Sequence, residues 1–427
     1  MIMKRIALFI FALVAVLSLH AQIKGNEVVV LVQPDHSDWN YKVGETAVFE
    51  ISVLRNSVPV KGAEIEYEAG KEMYPDVKAK KTLADGRMTW KGKLQKPGFY
   101  RLSVKATVAG KEYKGSATAA FSPERLEAST VDPSDFDSFW EKTLSDARQT
   151  ALDPHLELLP DRCTDKVNVY QVSFQNIRWG SRTYGILCVP TAPGTYPALL
   201  RVPGAGVRPY SGDVWFASEG CITLEIGIHG VPVIMKQSVY DELMNGALNC
   251  YWDTNIDNRD KNYYKRVIVG CLRAVDYIAT LKEWDGKNLG VTGSSQGGFL
   301  SLATAALDKR VSCYGAVHAA LCDLTASLKG EPDGWPHYFY YDKNPSKAHI
   351  EGSRYYDGVN FARRISCPGW FSFGYNDDVV PPTTAWATYN AVKAEKEIRP
   401  YPQTAHFWYQ EQWDEWCEWL KKRLGMR

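Results

Sequence analysis

The segment Gly293-Ser294-Ser295-Gln296-Gly297 follows the apolar Leu289-Gly290-Val291 and precedes a helix-like run from Gly298 to Leu307. That spacing predicts a strand, a sharp turn and a helix with Ser295 at the bend. In such an elbow the strained turn lifts the hydroxyl clear of the sheet, and the glycines relieve crowding between strand and helix. The chemistry on offer is attack of an activated serine on an acyl carbonyl. Because a short motif also arises by chance, its weight depends on what else the chain supplies. Ser294 lies off the centre of the motif and is not the expected nucleophile.

A serine hydroxyl is a poor nucleophile near neutral pH, so Ser295 needs a base to take its proton and a third group to orient that base. Of the eight histidines, His20 and His36 lie near the amino terminus, leaving six beyond residue 122. His406 lies in Pro402-Gln403-Thr404-Ala405-His406-Phe407, after the nucleophile and before the last helical pattern. Asp377 follows the strand-like Gly369 to Phe373, where a carboxylate can reach over a sheet to the next loop, and Asp378 is the alternative acid. Singly, His406 and Asp377 read equally well as surface or capping residues. The order Ser295, Asp377, His406 is nevertheless that of the α/β-hydrolase triad, and hydrolysis explains all three placements. The oxyanion of the reaction needs donors, for which the backbone amides of Gln296 and of Ala205, in Val202-Pro203-Gly204-Ala205-Gly206, are the candidates. The second segment also reads as a plain glycine-rich turn.

The elements that must position these residues are strand-like runs at 167–170, 183–187, 198–202, 221–226, 289–292, 313–317 and 369–373, separated by helical stretches. That alternation predicts an α/β fold, with a mainly parallel sheet covered by helices on both faces. Upstream the period changes to two: Ala47, Phe49, Ile51 and Val53 alternate with polar positions, as do Tyr100, Leu102, Val104, Ala106 and Val108 with Arg101, Ser103, Lys105 and Thr107. With turn signals at Asp85-Gly86 and Lys96-Pro97-Gly98, residues 22–122 read as a small immunoglobulin-like β-sandwich without obvious chemistry. The polar stretch Pro123 to Pro133 connects it to the second domain, 123–427, which opens on a helix capped by Ser134 or Asp135.

A chain of 427 residues exceeds what one core usually serves, consistent with two domains. The net charge of +1 and the lack of like-charge runs exclude the footprint of a nucleic-acid binder. Lys4 and Arg5, the apolar run Ile6 to Leu17 and Ala21 read as an export signal over residues 1–21, implying a periplasmic or secreted protein, and no segment reads as a membrane span. The nine cysteines lack the spacing of a metal or redox site, and mostly buried thiols are expected. Trp413, Trp416, Trp419 and Leu420 recur at helical spacing as a core stripe, whereas Trp335 and Tyr338 to Tyr341 read as a lid or pocket wall. His229, His318 and Asp323 read equally as cleft or turn residues.

From about Val131 to Leu424 the chain resembles the acetyl xylan esterase and cephalosporin-C deacetylase family of carbohydrate esterases. The resemblance is carried by Asp135-Phe136-Asp137-Ser138-Phe139-Trp140, by Gly290 to Gly298, by Tyr355 to Ala362 and most strongly by Gly374-Tyr375-Asn376-Asp377-Asp378-Val379-Val380-Pro381-Pro382-Thr383-Thr384. It implies an α/β-hydrolase fold, Asp377 as the acid, and a serine esterase that removes O-acetyl groups from carbohydrates without metal or cofactor. Oligomers, which compact members form, are open to this chain too. Where the family has His-Gly-Tyr, this chain has Pro203-Gly204-Ala205, and the amino-terminal sandwich is an addition. A peptidase, an esterase for bulkier acyl groups, or an idle hydrolase fold that binds glycans are the competing expectations.

Overall fold

A computed structural model describes residues 28–426, so the expected export signal lies outside the described residues. Nine strands come first: β1 (Val28–Pro34), β2 (Asn40–Tyr41), β3 (Ala47–Arg55), β4 (Val58–Pro59), β5 (Ala63–Lys71), β6 (Tyr74–Leu83), β7 (Arg87–Gly92), β8 (Gly98–Val108) and β9 (Lys111–Phe121). They form two sheets, β1-β3-β4 with β7 also on β3, and β2-β9-β8-β5-β6. Side chains alternate across a strand, so Phe49, Ile51 and Val53 meet Leu102, Val104 and Ala106 in a dry interior between the sheets.

The rest of the chain builds a nine-stranded sheet in the order β10-β11-β12-β14-β13-β15-β16-β17-β18. Its strands are β10 (His155–Leu158), β11 (Val167–Gln175), β12 (Arg182–Pro190), β13 (Tyr196–Arg201), β14 (Ile222–Gly227), β15 (Trp284–Ser294), β16 (Cys313–Val317), β17 (Gly369–Gly374) and β18 (Lys396–Tyr401). From β14 through β18 every pairing is parallel, while β10, β11 and β12 are antiparallel to their neighbours. A parallel sheet needs cover on both faces. Helices Tyr263–Ile278 and Gln296–Leu307 bury their apolar residues against Leu200, Val291 and Ala316. Helix Gln410–Arg423 lays Trp416, Trp419 and Leu420 on Leu199, Val317 and Trp370 of the opposite face.

The helix Phe136–Arg148 buries Phe136, Phe139, Trp140 and Leu144, but Asp135 does not cap it through its side chain. The carboxylate instead receives the Arg259 guanidinium at 2.9 Å and the Tyr355 hydroxyl, since a cation outcompetes a backbone amide for a charged acceptor. β10 and β18 carry no clear sequence signal. Both are edge strands, and Lys396-Glu397-Ile398-Arg399-Pro400-Tyr401 has the charges and proline by which edges avoid further pairing.

Candidate active site

In a parallel sheet of this kind the cleft lies beyond the carboxyl ends of the strands. There the chain delivers the 202–206 loop after β13, Ser295 after β15, His318 after β16, Asp377 after β17 and His406 after β18. Ser295 has φ 61° and ψ −124°, a conformation that costs a non-glycine residue about 1–3 kcal/mol. The turn is held by two bonds, Ser295 N–H to the Val317 carbonyl at 2.8 Å and Ala320 N–H to the Ser295 carbonyl at 3.0 Å. A Cβ on either Gly293 or Gly297 would fall 2.4 Å from the Val202 carbonyl oxygen, so both glycines admit the neighbouring strand end.

His406 Nδ1 lies 2.7 Å from Asp377 Oδ2. Asp377 is fully buried, and its other oxygen accepts the amides of Val379 and Val380 at 2.9 and 2.8 Å. These bonds fix the carboxylate, and they assign the imidazole its Nδ1–H tautomer, which leaves Nε2 as the basic nitrogen. Asp378, in contrast, is exposed and lines a groove of about 740 Å³ with Tyr67, Lys80 and Lys105 of the sandwich. The loops that carry Asp377 and His406 are sutured by Asn376 N–H to the Thr404 carbonyl at 3.1 Å. His318 bridges the two halves of the site: its ring centroid is 5.1 Å from that of His406, its Nδ1 is 3.5 Å from Ser294 Oγ, and it directly follows the residue that holds Ser295 N–H. Burial, with His406 close by and against the pull of Asp377, pushes its pKa down to about 4.

The 202–206 loop sits against Ser295, for a side chain at Gly204 would begin 3.8 Å from Ser295 Cβ. Arg208 Nη2 donates to the carbonyls of Gly204 and Ala205 at 2.8 and 2.9 Å. Outside helices and strands, the amides of Ala205 and Gln296 make no backbone hydrogen bond among the described residues. The Gln296 side chain, buried and invisible as a functional residue in the sequence, joins the elbow to this loop. Its Nε2 donates to the Pro203 carbonyl at 3.2 Å, and its Oε1 accepts the hydroxyls of Tyr251 and Tyr264 at 2.7 and 2.9 Å. Tyr251 also accepts Gly206 N–H at 3.3 Å, and His229 Nε2 donates to the Gly206 carbonyl at 3.0 Å. His229 is thus a brace of the loop.

Asp323 is away from this cluster. It accepts the amides of Ser129 and Thr130 and ties down the interdomain connector. Of the expected lid, Tyr338 is half-buried and donates to the Trp252 carbonyl, while Tyr340 packs edge-on against Tyr74 of the sandwich. Immediately after His406, Phe407, Trp408 and Tyr409 are exposed in succession. Among the described residues no cluster of His, Cys, Asp and Glu is arranged for a metal ion, and no helix is long and apolar enough to cross a membrane.

Residues 124–423 match the family model for acetyl xylan esterase (AXE1). An acetyl esterase of Xylanibacter ruminicola, Axe7A, is 38% identical over 401 residues, covering 92% of this chain and 90% of its own. Among solved structures, the acetyl xylan esterase of Paenibacillus sp. R4 superimposes with a TM-score of 0.61 at 25% identity, covering 70% of this chain and 98% of its own. Acetyl xylan esterase 1 of Thermoanaerobacterium sp. JW/SL YS485, at 23% identity, shares the fold with a TM-score of 0.59 over 70% of this chain and 97% of its own. The chain belongs to the acetyl xylan esterase family, carboxylic ester hydrolases built on the α/β-hydrolase fold.

Proposed function

We propose that the protein is a serine esterase that removes acetyl and other short acyl groups from carbohydrates through an acyl-enzyme. The observation that carries this reading is the hydrogen-bonded pair His406–Asp377 at the same sheet end as the strained Ser295 turn, with His318 lying between His406 and Ser294. Ser295 attacks the ester carbonyl and passes its proton to Nε2 of His406, while Asp377 holds the imidazole and stabilises its cation. The oxyanion forms against the amides of Gln296 and Ala205. Return of the proton from His406 expels the sugar hydroxyl, and water then resolves the acyl-enzyme through the same groups in reverse order.

A carbohydrate alcohol is favoured by Phe407, Trp408 and Tyr409, whose exposed apolar faces adjoin the base and suit the C–H faces of a sugar ring. The names of the relatives point the same way. Export, read from Lys4 to Ala21, would bring the enzyme to such substrates outside the cytoplasm.

Ser295→Ala is the direct test, with hydrolysis of a chromogenic acetate measured beside release of acetate from acetylated xylo-oligosaccharides. Both activities are expected to fall by about 10⁴ or more. Undiminished hydrolysis would dispose of the reading, and equal turnover of acetate and octanoate esters would dispose of the short-acyl specificity.

A further inference from the structure

The loop that presents Asp377 is not held by the hydrolase domain alone. Arg101, on β8 of the sandwich, aims one nitrogen, Nη2, at three acceptors: the Tyr375 carbonyl at 3.0 Å, the Asp377 carbonyl at 2.8 Å and Glu72 Oε1 at 2.8 Å. Its Nε donates to Thr118 Oγ1 at 2.9 Å, and Thr118 in turn donates to Asn376 Oδ1 at 3.0 Å. Asn376 completes the circuit by donating to the Ser116 carbonyl on β9 at 3.2 Å. Every residue from Tyr375 to Asp377 therefore has a bond to the sandwich.

Glu72 stands at the tip of the β5–β6 hairpin and is fully buried. Its second oxygen accepts the hydroxyl of Thr383 at 2.7 Å and the Thr383 amide at 3.3 Å, at the start of helix Pro382–Ala391. One carboxylate thus orients Arg101 on one side and grips the far end of the acid loop on the other. Removing an ion pair from water is a poor way to gain stability, because desolvation consumes most of the attraction. What such a pair does supply is direction: a planar guanidinium anchored at several points can move little.

That direction matters because of what lies between the two grips. Asp377 must keep Oδ2 within hydrogen-bonding distance of His406, and displacement of a reacting group by about 1 Å costs on the order of 10²-fold in rate. Resting on the triad reading above, we propose that the β-sandwich is a working part of the active site, in which Arg101, oriented by Glu72, is a positioning residue that fixes Asp377 for His406. The sandwich is then neither a spacer nor an independent module: the acid loop is complete only when β8 and the β5–β6 tip are docked on it. Burial pushes the Glu72 pKa up to about 7 against the attraction of Arg101, which marks how far this carboxylate has been withdrawn from solvent.

The test compares full-length parent, Arg101→Met, Arg101→Lys and Ser295→Ala. The fraction of competent serine is first counted with a fluorophosphonate, and kcat and KM for a chromogenic acetate are then expressed per labelled site. A positioning role predicts that Arg101→Met lowers kcat per labelled site about tenfold or more with KM within about twofold, and that Arg101→Lys recovers part of the loss. A parental kcat per labelled site in Arg101→Met, whatever happens to its melting temperature, overturns the proposal. If Arg101→Met yields no folded protein, Glu72→Gln, which preserves shape and removes the charge, decides in the same way. A fall in kcat per site of about threefold or more supports the proposal, and no change overturns it. Retained hydrolysis by Ser295→Ala would instead condemn the triad reading itself, so the two failures are told apart.

Discussion

His406 Nδ1 and Asp377 Oδ2 meet at 2.7 Å although their loops leave different strands, with helix Pro382–Ala391 and β18 between them in sequence. Turning the carboxylate into an amide alters this contact in kind. Asp377→Asn should present N–H or a weak acceptor to Nδ1, favour the wrong tautomer and lower kcat by about 10⁴, the size of effect known for such a change in serine proteases. Asp378→Asn should keep parental kcat. Steady-state kinetics on a chromogenic acetate distinguish the two, and equal losses in both variants would refute the assignment of the acid.

The exposed trio after His406 makes a prediction about substrate. Trp408 stacks over His318 at 6.2 Å, which fixes its orientation while leaving it exposed. Trp408→Ala should raise KM for acetylated xylo-oligosaccharides about tenfold, the loss of roughly 1–1.5 kcal/mol of aromatic contact. KM for a small chromogenic acetate should stay near the parental value. A proportional change for both substrates would count against a sugar platform.

Gly374 ends β17 where the histidine loop crosses. A Cβ there would fall 2.0 Å from the Thr404 carbonyl oxygen, too close for any atom pair, so Gly374→Ala must push the acid and histidine loops apart. Strain of this sort typically costs about 1–3 kcal/mol. The expected result is a melting temperature lower by several degrees together with a fall in kcat, and a variant with parental kcat would show that the loops need not touch. Gln296→Met offers a parallel case. It strands the buried hydroxyls of Tyr251 and Tyr264, at about 1–3 kcal/mol each, and frees the 202–206 loop while leaving residue 296 its backbone amide.

His229 makes stability depend on pH in a definite direction. Burial, with Arg266 and Arg208 close by, pushes its pKa down to about 4 from 6.5, although its bond to the Gly206 carbonyl opposes the shift. Nε2–H donates to that carbonyl and Nδ1 accepts from Tyr263, an arrangement only the neutral ring can make. The folded-state pKa lies below the unfolded one, so the unfolded chain binds the proton first as pH falls. This histidine's contribution is present in full above pH 6.5, shrinks between 6.5 and about 4, and is gone below that, amounting to about 3 kcal/mol. The melting temperature of His229→Gln should therefore fall less steeply than that of the parent between pH 6.5 and 4. Parallel curves would refute the buried neutral state.

How far these features were legible in the sequence depended on how local their causes are. The elbow around Ser295, the alternation that separates the sandwich from the hydrolase fold, and the acid and histidine loops all rest on residues within a few positions of one another. β18 was missed because an edge strand takes charges and a proline, erasing its periodicity. The Gln296 network was missed because its partners Tyr251 and Tyr264 come from a helix and a loop that only packing brings together. Arg101 is instructive in another way. Period-two alternation correctly set it on the face opposite Leu102, but alternation names a face and not what covers it, and here that cover is the acid loop.

Finally, none of the nine cysteines is bridged, and six of them are buried as small apolar side chains. The native state therefore requires no oxidant. Production in a reducing cytosol should give the same enzyme as passage through an oxidising one, and thiol reductants should leave its melting curve unmoved. Cys250 alone is exposed, one residue from the tyrosine that braces the 202–206 loop, so the chain already offers a single accessible thiol to which a fluorophore can be attached.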